Sequence, residues 1–143
     1  MLDSEILVPP EPPLSEVKRW AKYNVRVHID GKIALLTQKY PTAEVQSWEM
    51  KRVAARRYLA GKADAAEKEL LETEAGGNAT NLAKAILAKA QWWAAVLGTA
   101  AQIRQDAYTT IDAAKTKEEV QQALEAAHVA AEQAWREIID KAL

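Results

Sequence analysis

The sequence predicts an all-α protein: a helical bundle built on a long antiparallel helix hairpin, with an extended Pro-rich N-terminal arm. Alanine, which has the highest helix propensity of any residue, is the commonest residue from position 43 onward. Apolar residues recur there at intervals of three and four, the spacing of one helix face. Four of the five prolines fall between positions 9 and 13, so the strongest helix breakers are concentrated in the arm.

Length and composition predict one domain that is stable without a disulfide bond or a structural metal ion. The chain has 143 residues, a net charge of −1 and no cysteine. The length suits a single helical domain over residues 15–143, behind an arm of residues 1–14. The lack of thiols excludes disulfides and thiolate metal sites. The balanced charge argues against a dedicated nucleic-acid binder.

No apolar run approaches the roughly 20 residues that a membrane-spanning helix needs. The first five residues are acidic overall and do not form the basic and apolar regions of a signal peptide. These observations predict a cytoplasmic protein without a membrane partner.

The arm has two parts. Residues 9–13 read Pro-Pro-Glu-Pro-Pro, which favours an extended, polyproline-like path. Three adjacent aliphatic residues, Ile6, Leu7 and Val8, precede this segment. One interpretation is a frayed terminus. The other is a tether whose aliphatic residues dock on a partner or on the protein's own body.

The first helix is predicted over about residues 15–39. Ser15 is a favourable N-cap, and Glu16 suits the first turn, where the helix dipole favours acidic side chains. Trp20 and Ala21 are placed on the same apolar face of this helix.

The middle of this segment allows an alternative. Val25, Val27 and Ile29 alternate with polar residues, and Asp30-Gly31 is a hairpin turn signal. A β-hairpin over residues 25–36 is therefore a second possibility. We prefer a helix, because an isolated hairpin is marginally stable in water and the surrounding sequence favours helix.

The second helix is predicted over about residues 41–60. Pro41 suits the first helical position, because its missing N–H would have no partner there. Gly61 is a natural stop, because glycine readily adopts the left-handed conformation that follows a helix. A short helix is predicted over about residues 64–75, ended by Gly76-Gly77.

Two longer helices are predicted over about residues 80–114 and 117–142. The first would be on the order of 50 Å long at 1.5 Å per residue. Thr116 and Glu119 match the capping-box pattern at the start of the second. Because the connection between them is so short, the two helices are expected to pack antiparallel.

The five tryptophans are expected to supply much of the buried apolar area. Trp20, Trp48 and Trp135 each fit a single apolar stripe, which predicts core positions. Trp92 and Trp93 are adjacent and point about 100° apart on a helix, so one narrow stripe cannot bury both. One of this pair is therefore expected at an edge, against the arm or in a partner interface, where tryptophan is enriched.

The sequence contains no catalytic or metal-binding signature. His28 and His128 fall on different predicted helices, without the spacing of a His-Glu-x-x-His site. No serine sits in a nucleophile elbow, and there is no glycine-rich phosphate loop. We therefore expect no enzymatic activity, no cofactor and no metal.

The second predicted helix carries a basic cluster of four residues: Lys51, Arg52, Arg56 and Arg57. Such a stripe can contact nucleic-acid phosphates. The other interpretation is a solvated face whose cations pair with Glu49 and nearby acids, and the balanced overall charge favours this one.

Alanine on the inner helix faces allows close helix packing but buries little apolar area per residue. We therefore expect a long alanine-rich hairpin to need additional apolar contacts from the arm, from the second helix or from another chain. We expect a homo- or hetero-oligomer.

One part of the chain resembles a known family. The matching residues begin with Tyr40-Pro41, Glu44 and Ser47-Trp48 and continue with Ala55, Tyr58-Leu59-Ala60, Leu70-Leu71, Leu82-Ala83-Lys84-Ala85-Ile86, Lys89-Ala90, Gly98, Arg104-Gln105 and Ile111. Over about residues 35–125 the chain is similar to the small helical proteins encoded beside tail-fibre genes in bacteriophages and prophages. It departs from the family pattern at Lys51 and Ala54, and residues 62–69 lack an expected proline.

This resemblance implies a non-enzymatic phage-tail protein that binds tail-fibre or baseplate protein, as a chaperone-like assembly factor or an adaptor. The expected partner-binding residues are Ile6, Leu7, Val8, Trp92 and Trp93. The alternatives are a structural subunit of the mature tail or baseplate, and a nucleic-acid-binding regulator that uses the basic cluster. The implied location is the host cytoplasm during assembly, or the virion tail for a protein that is retained there.

Overall fold

The structure, a computed structural model, describes residues 9–142, with side chains as far as residue 138. Within that range it contains helices and no strand. Five helices follow the arm: α1 Leu14–Thr37, α2 Thr42–Leu59, α3 Ala65–Ala75, α4 Thr80–Ala113 and α5 Lys117–Ala142. None of the helices described is long and apolar enough to cross a membrane.

The chain forms two compact units. The first contains the residues up to Lys32 and those from Ala100 onward, and the second contains Ile33–Thr99. Both α1 and α4 therefore contribute residues to each unit.

The start of α1 corrects the predicted cap. The helix begins at Leu14, so Ser15 is already helical and is not the N-cap. The carbonyl oxygen of Pro13 accepts hydrogen bonds from the N–H groups of Glu16 and Val17, at 3.0 and 3.1 Å. The helix thus starts directly after the last proline, whose carbonyl occupies the capping position.

Residues 25–36 are helical throughout, which settles the choice between helix and hairpin. Val25, Ile29 and Leu36 are buried on one side of α1, and their spacing of four and seven is helical. The alternating pattern arises because the exposed Val27 lies between two of these buried positions on the opposite side of the helix.

The predicted core position of Trp20 is wrong, because its side chain is 67% exposed. The buried line of α1 runs through Ala21, Val25 and Ile29. Trp20 is five residues before Val25, which turns it about 140° away from that line. Trp48 and Trp135, also predicted in the core, are only half-buried.

The ends of α2 depend on Pro41 and Gly61. Pro41 has an extended ψ of 145° and precedes the helix at the N-cap position, rather than occupying the first helical position as predicted. Its carbonyl accepts a hydrogen bond from the N–H of Val45 at 3.1 Å. Gly61 has a φ of +71°, and the hydrogen bonds around it, including Lys62 N–H to the Arg57 carbonyl at 2.8 Å, form the Schellman stop expected of a glycine.

Side-chain caps begin α3 and α5. Asp64 and Glu67 form a reciprocal capping box at the start of α3. At α5, Thr116 Oγ1 accepts from the N–H of Glu119 at 3.1 Å, as predicted. The Glu119 carboxylate reaches one residue farther back than a standard box, to the N–H of Lys115 at 2.6 Å.

In the first unit, contacts give the direction of each helical segment. Lys18 and Lys22 of α1 both reach Asp112 of α4 at 2.8 Å, and Lys22 also lies over Tyr108, so these segments run antiparallel. Asn24 contacts His128 of α5 and Lys32 contacts Glu132, so α1 and α5 run parallel. Within this unit α4 and α5 therefore run in opposite directions. The core consists mainly of small side chains: Ala21, Val25, Ile29, Ala107, Ile111, Ala114, Val120, Ala123, Ala127 and Ala131.

In the second unit, α3 packs against α2 around Ala54, Leu71 and Ala79, all buried. Tyr58 lies beside this cluster. Its hydroxyl accepts from the N–H of Ala79 at 3.2 Å and donates to a Glu72 carboxylate oxygen at 3.1 Å. One phenol thus ties the end of α2 to α3 and to the start of α4.

Candidate functional site

The second unit contains an open groove between α2 and the first part of α4, with a volume of about 530 Å³. We call it the α2–α4 groove. Its apolar walls are six large side chains: Val45, Trp48, Leu82, Ile86, Trp93 and Leu97. The groove lies entirely within the second unit.

The walls follow from helical spacing. Leu82, Ile86, Trp93 and Leu97 recur at intervals of four and seven, which places them along one face of α4. Each of these four side chains is half-buried or exposed. The intervening lining positions on α4 include small alanines, such as Ala94, so the stripe borders an open trough.

A cluster of aromatic rings forms one part of the groove. The rings of Trp48 and Trp93 meet edge to face with centroids 5.5 Å apart, and Tyr40 meets Trp48 in the same manner at 5.2 Å. Trp92 packs beside Trp93 at 6.0 Å. Edge-to-face pairs at these separations add about 0.5–1.5 kcal/mol each beyond their buried area, so this wall is a preformed surface.

The ammonium of Lys89 lies over this aromatic wall. Its Nζ atom is 3.8 Å from the ring centre of Tyr40 and 4.8 Å from that of Trp48. A carboxylate oxygen of Glu44 lies 3.7 Å away. Two aromatic faces and one carboxylate therefore hold this cation at the edge of the groove.

The other charges along the rim are also paired. Arg52 donates to Glu49 with Nε to Oε2 at 2.9 Å, and Lys51 lies 3.2 Å from Glu74 of α3. The hydrogen bond from Arg52 lowers the pKa of Glu49, and the same bond raises the pKa of Arg52. The rim thus carries alternating charges that neutralise one another locally.

Two indole N–H groups, those of Trp48 and Trp92, are buried and find no acceptor among the described residues. Leaving such a donor unpaired costs about 1–3 kcal/mol. Trp48 lines the groove, so one of these two donors belongs to a groove wall.

The predicted partner-binding residues fall in different places. Trp93 lines the groove and contacts Trp48, whereas Trp92 packs against Trp93 and is not part of the lining. Both tryptophans are half-buried. Ile6, Leu7 and Val8 lie outside the described residues.

The structure separates the basic cluster into paired and exposed members. Lys51 and Arg52 pair with Glu74 and Glu49 as described above. Arg57 donates to Glu67 at 2.8 Å and to the Lys62 carbonyl at 3.0 Å. Arg56 is exposed in the last turn of α2.

Sequence reasoning missed two relationships. It placed Trp48 in the core and assigned no role to Lys89 or Glu44, because nothing local in the sequence shows that they converge. It also treated His28 and His128 as unrelated, although their rings stack at a centroid distance of 4.4 Å in the first unit. Among the described residues, no group of three or more His, Asp or Glu side chains is arranged to hold a metal ion.

No protein-family model, curated protein or solved structure matches this chain. The similarity to phage-tail proteins consequently stays a prediction from the residues quoted above.

Proposed function

We propose that this chain is a non-enzymatic interaction protein of a phage tail, an assembly factor or adaptor that binds tail-fibre or baseplate protein. The observation that carries the proposal is the α2–α4 groove, an open apolar trough walled by Trp48 and Trp93. Large aromatic side chains in a concave surface are typical anchors of protein interfaces.

The groove suits a partner segment with an apolar face, such as one side of an amphipathic helix. Recognition of this kind uses side chains spaced along one helix face, laid into a hydrophobic trough. Covering such a surface on an unassembled tail protein would protect it from aggregation.

Because the indole N–H of Trp48 has no acceptor among the described residues, a partner segment that supplies one would bind more favourably. A partner segment that brings a carbonyl oxygen to this wall would give the donor an acceptor after a small adjustment of the ring. The N-terminal arm, with Ile6, Leu7 and Val8, is proposed as a second contact with the same partner.

The sequence resemblance supplies the class of partner, a tail-fibre or baseplate protein. The competing function that the resemblance allows is a structural subunit of the mature tail. Pairing of Lys51, Arg52 and Arg57 with carboxylates speaks against a nucleic-acid-binding regulator, because those cations are already partly neutralised.

Mass spectrometry of purified particles, beside a pull-down from lysate of cells producing them, tests the proposal. An assembly factor would be absent from the particle and would capture tail-fibre or baseplate protein from the lysate. Stoichiometric presence in the particle would instead make the chain a structural subunit. Absence from both would refute a phage-tail role.

A pair of variants tests the groove itself. Ala94 is exposed and lines the groove, whereas the adjacent Ala95 is exposed on the same helix and does not line it. Ala94→Arg should fill the trough and abolish capture of the partner, while Ala95→Arg should leave capture unchanged. Equal capture by both variants would exclude the groove as the binding surface.

A further inference from the structure

Three side chains from one short segment form a site for a cation at the edge of the α2–α4 groove. The ammonium of Lys89 occupies this site, 3.8 Å from the ring centre of Tyr40, 4.8 Å from that of Trp48 and 3.7 Å from a Glu44 oxygen. We call Tyr40, Glu44 and Trp48 the cage. Two aromatic faces and one carboxylate attract a positive charge, and the position of Lys89 shows that an ammonium group fits among them.

The cage is built without α4. Tyr40 directly precedes Pro41, the N-cap of α2, Glu44 is in the first turn, and Trp48 follows one turn later. An edge-to-face contact with centroids 5.2 Å apart fixes the rings of Tyr40 and Trp48 relative to each other. Lys89 enters from α4 and forms none of the three walls. We therefore expect the cage to keep its shape when the side chain of Lys89 leaves it.

Lys89 is held loosely. Its 3.7 Å distance from Glu44 exceeds the range of about 2.7–3.2 Å for N–H···O hydrogen bonds, so the carboxylate attracts this ammonium without accepting a hydrogen bond from it. Arg52, by contrast, donates to Glu49 on the same rim at 2.9 Å. The side chain of Lys89 is also 36% exposed, and cation–π contacts are weak where water reaches them. Another cation can therefore replace Lys89 at little cost.

The same exchange follows from filling the groove. Glu44, Trp48 and Lys89 all line it, and the ammonium of Lys89 covers part of the Trp48 ring, so a segment that packs on this ring displaces it. The flexible four-carbon stem of Lys89 lets its ammonium turn to solvent. Glu44 would then lie beneath the segment without a counter-charge, which is unfavourable. A segment that fills this end of the groove therefore needs a cation of its own.

We propose that the cage recognises a lysine side chain of the partner segment, and that Lys89 occupies the cage until that lysine replaces it. This inference rests on the proposed function, because it names a charged group that the partner segment carries beside its apolar face. Lysine is the class of residue that the cage already accommodates. The covering segment excludes water from the cage, which strengthens the cation–π contacts of the incoming ammonium. Lys89 lowers the apparent affinity, because the cage accepts a second cation only while Lys89 is outside it.

An NMR titration with n-butylammonium, which has the structure of a lysine side chain without its backbone, tests the cage without any partner. The chemical shift of the Trp48 indole N–H reports binding. Lys89→Ala empties the cage and should bind butylammonium about tenfold more tightly than the wild-type chain does. Lys84 is exposed on the same helix and does not line the groove, so Lys84→Ala should match the wild type. Failure of Lys89→Ala to bind more tightly than the wild type would overturn the proposal.

Further variants test the walls in the Lys89→Ala background. Adding Glu44→Gln or Tyr40→Leu should weaken butylammonium binding at least about fivefold, because each removes one contact with the charge and keeps a side chain of similar size. Glu49→Gln is the matched control, because Glu49 is a rim carboxylate outside the cage. The neutral compound butan-1-ol should bind much more weakly than butylammonium. Equal affinities for the two compounds would identify an apolar cavity rather than a cation site and contradict the proposal.

The affinity for the captured tail-fibre or baseplate protein shows how Lys89 acts in the complex. Replacement by a partner lysine predicts that Lys89→Ala raises this affinity about tenfold, whereas Lys84→Ala leaves it unchanged. If Lys89 instead stayed in place and paired with a carboxylate of the partner, Lys89→Ala would weaken capture. That result would overturn the proposal.

The experiments separate this inference from the function on which it rests. If butylammonium fails to bind to Lys89→Ala while Ala94→Arg still abolishes capture, the cage is refuted and the groove remains the partner-binding surface. If butylammonium binds but the wild-type chain captures no tail protein, the proposed function is refuted, and with it the assignment of the lysine to that partner.

Discussion

The imidazole rings of His28 and His128 stack with their centroids 4.4 Å apart and their planes at 24°, joining α1 to α5. His128 Nε2 lies 2.9 Å from Oδ1 of Asn24. His28 Nε2 lies 3.5 Å from Glu132, whose carboxylate also accepts from Lys32 at 2.6 Å. Burial and the neighbouring His28 lower the pKa of His128, against an opposing effect of Glu132.

This environment predicts that acidification destabilises the first unit. Because the pKa of His128 is below its ordinary value of 6.5 in the folded protein, the unfolded chain binds the proton more readily. The contribution to stability is therefore complete above about pH 6.5 and is lost as the pH falls through the lowered folded value. Urea unfolding between about pH 5 and pH 8 should show a free energy of unfolding that rises with pH.

His128→Gln provides the matched variant, because it removes the titrating group while keeping a polar side chain that can bond to Asn24. Its free energy of unfolding should depend less steeply on pH across the same window. An unchanged pH dependence in the variant would assign the effect to other groups.

Leu71 is the largest fully buried side chain of the second unit, with 0% exposure. Leu71→Ala should lower the free energy of unfolding by about 2–5 kcal/mol, through lost apolar burial and the cavity left behind. Leu97, on the groove wall, is 43% exposed, so Leu97→Ala should cost less than about 1 kcal/mol. Chemical denaturation of both variants measures the difference, and equal losses would contradict the burial assigned to Leu71.

The hydroxyl of Tyr58 serves the buried N–H of Ala79 and the carboxylate of Glu72. Tyr58→Phe should lower the free energy of unfolding by about 1–3 kcal/mol, because the amide loses its acceptor. Tyr108→Phe removes the hydroxyl of a half-buried tyrosine in the first unit and keeps its ring, so it should change stability by less than about 0.5 kcal/mol. Thermal or urea unfolding distinguishes the two variants. An unchanged free energy of unfolding in Tyr58→Phe would mean that the hydrogen bonds of this hydroxyl make no net contribution to stability.

Two glycines should respond oppositely to alanine. Gly76 ends α3 with a φ of +72°, a conformation that costs residues with a Cβ roughly 1–2 kcal/mol, so Gly76→Ala should destabilise. Gly98 is helical, and an added Cβ there meets nothing within 4 Å; Gly98→Ala should stabilise by about 0.5–1 kcal/mol. Shifts of the same sign in the urea midpoint of the two variants would contradict the backbone geometry.

The helices were predictable because local signals mark their ends. Prolines precede α1 and α2, Gly61 follows α2, and Thr116 and Glu119 form a cap at the start of α5. Each of these residues acts on backbone groups next to it in the chain, so the sequence alone indicates where the helix begins or ends. The position of Trp20 was not predictable in the same way. Its apolar character fits a core stripe, and only the packing of α4 and α5 decides which side of α1 is buried.

The groove was partly predictable. Leu82, Ile86, Trp93 and Leu97 follow the helical periodicity that the sequence displays, and the adjacency of Trp92 and Trp93 indicates an interface position for one of them. Periodicity reports that a face is apolar, but it does not report what covers that face. The approach of Trp48 and Lys89 to Trp93 and Tyr40 depends on contacts between distant segments, so it required the structure.

The local neutralisation of charge along the groove rim has a kinetic consequence. Arg52 with Glu49, Lys51 with Glu74, and Lys89 with Glu44 are close pairs, so their fields largely cancel a few ångströms from the surface. An approaching partner segment would experience little electrostatic attraction to the groove. The association rate constant should therefore be about 10⁵–10⁶ M⁻¹s⁻¹, the value without electrostatic steering. Discrimination among candidate segments would then depend on how long each one stays bound.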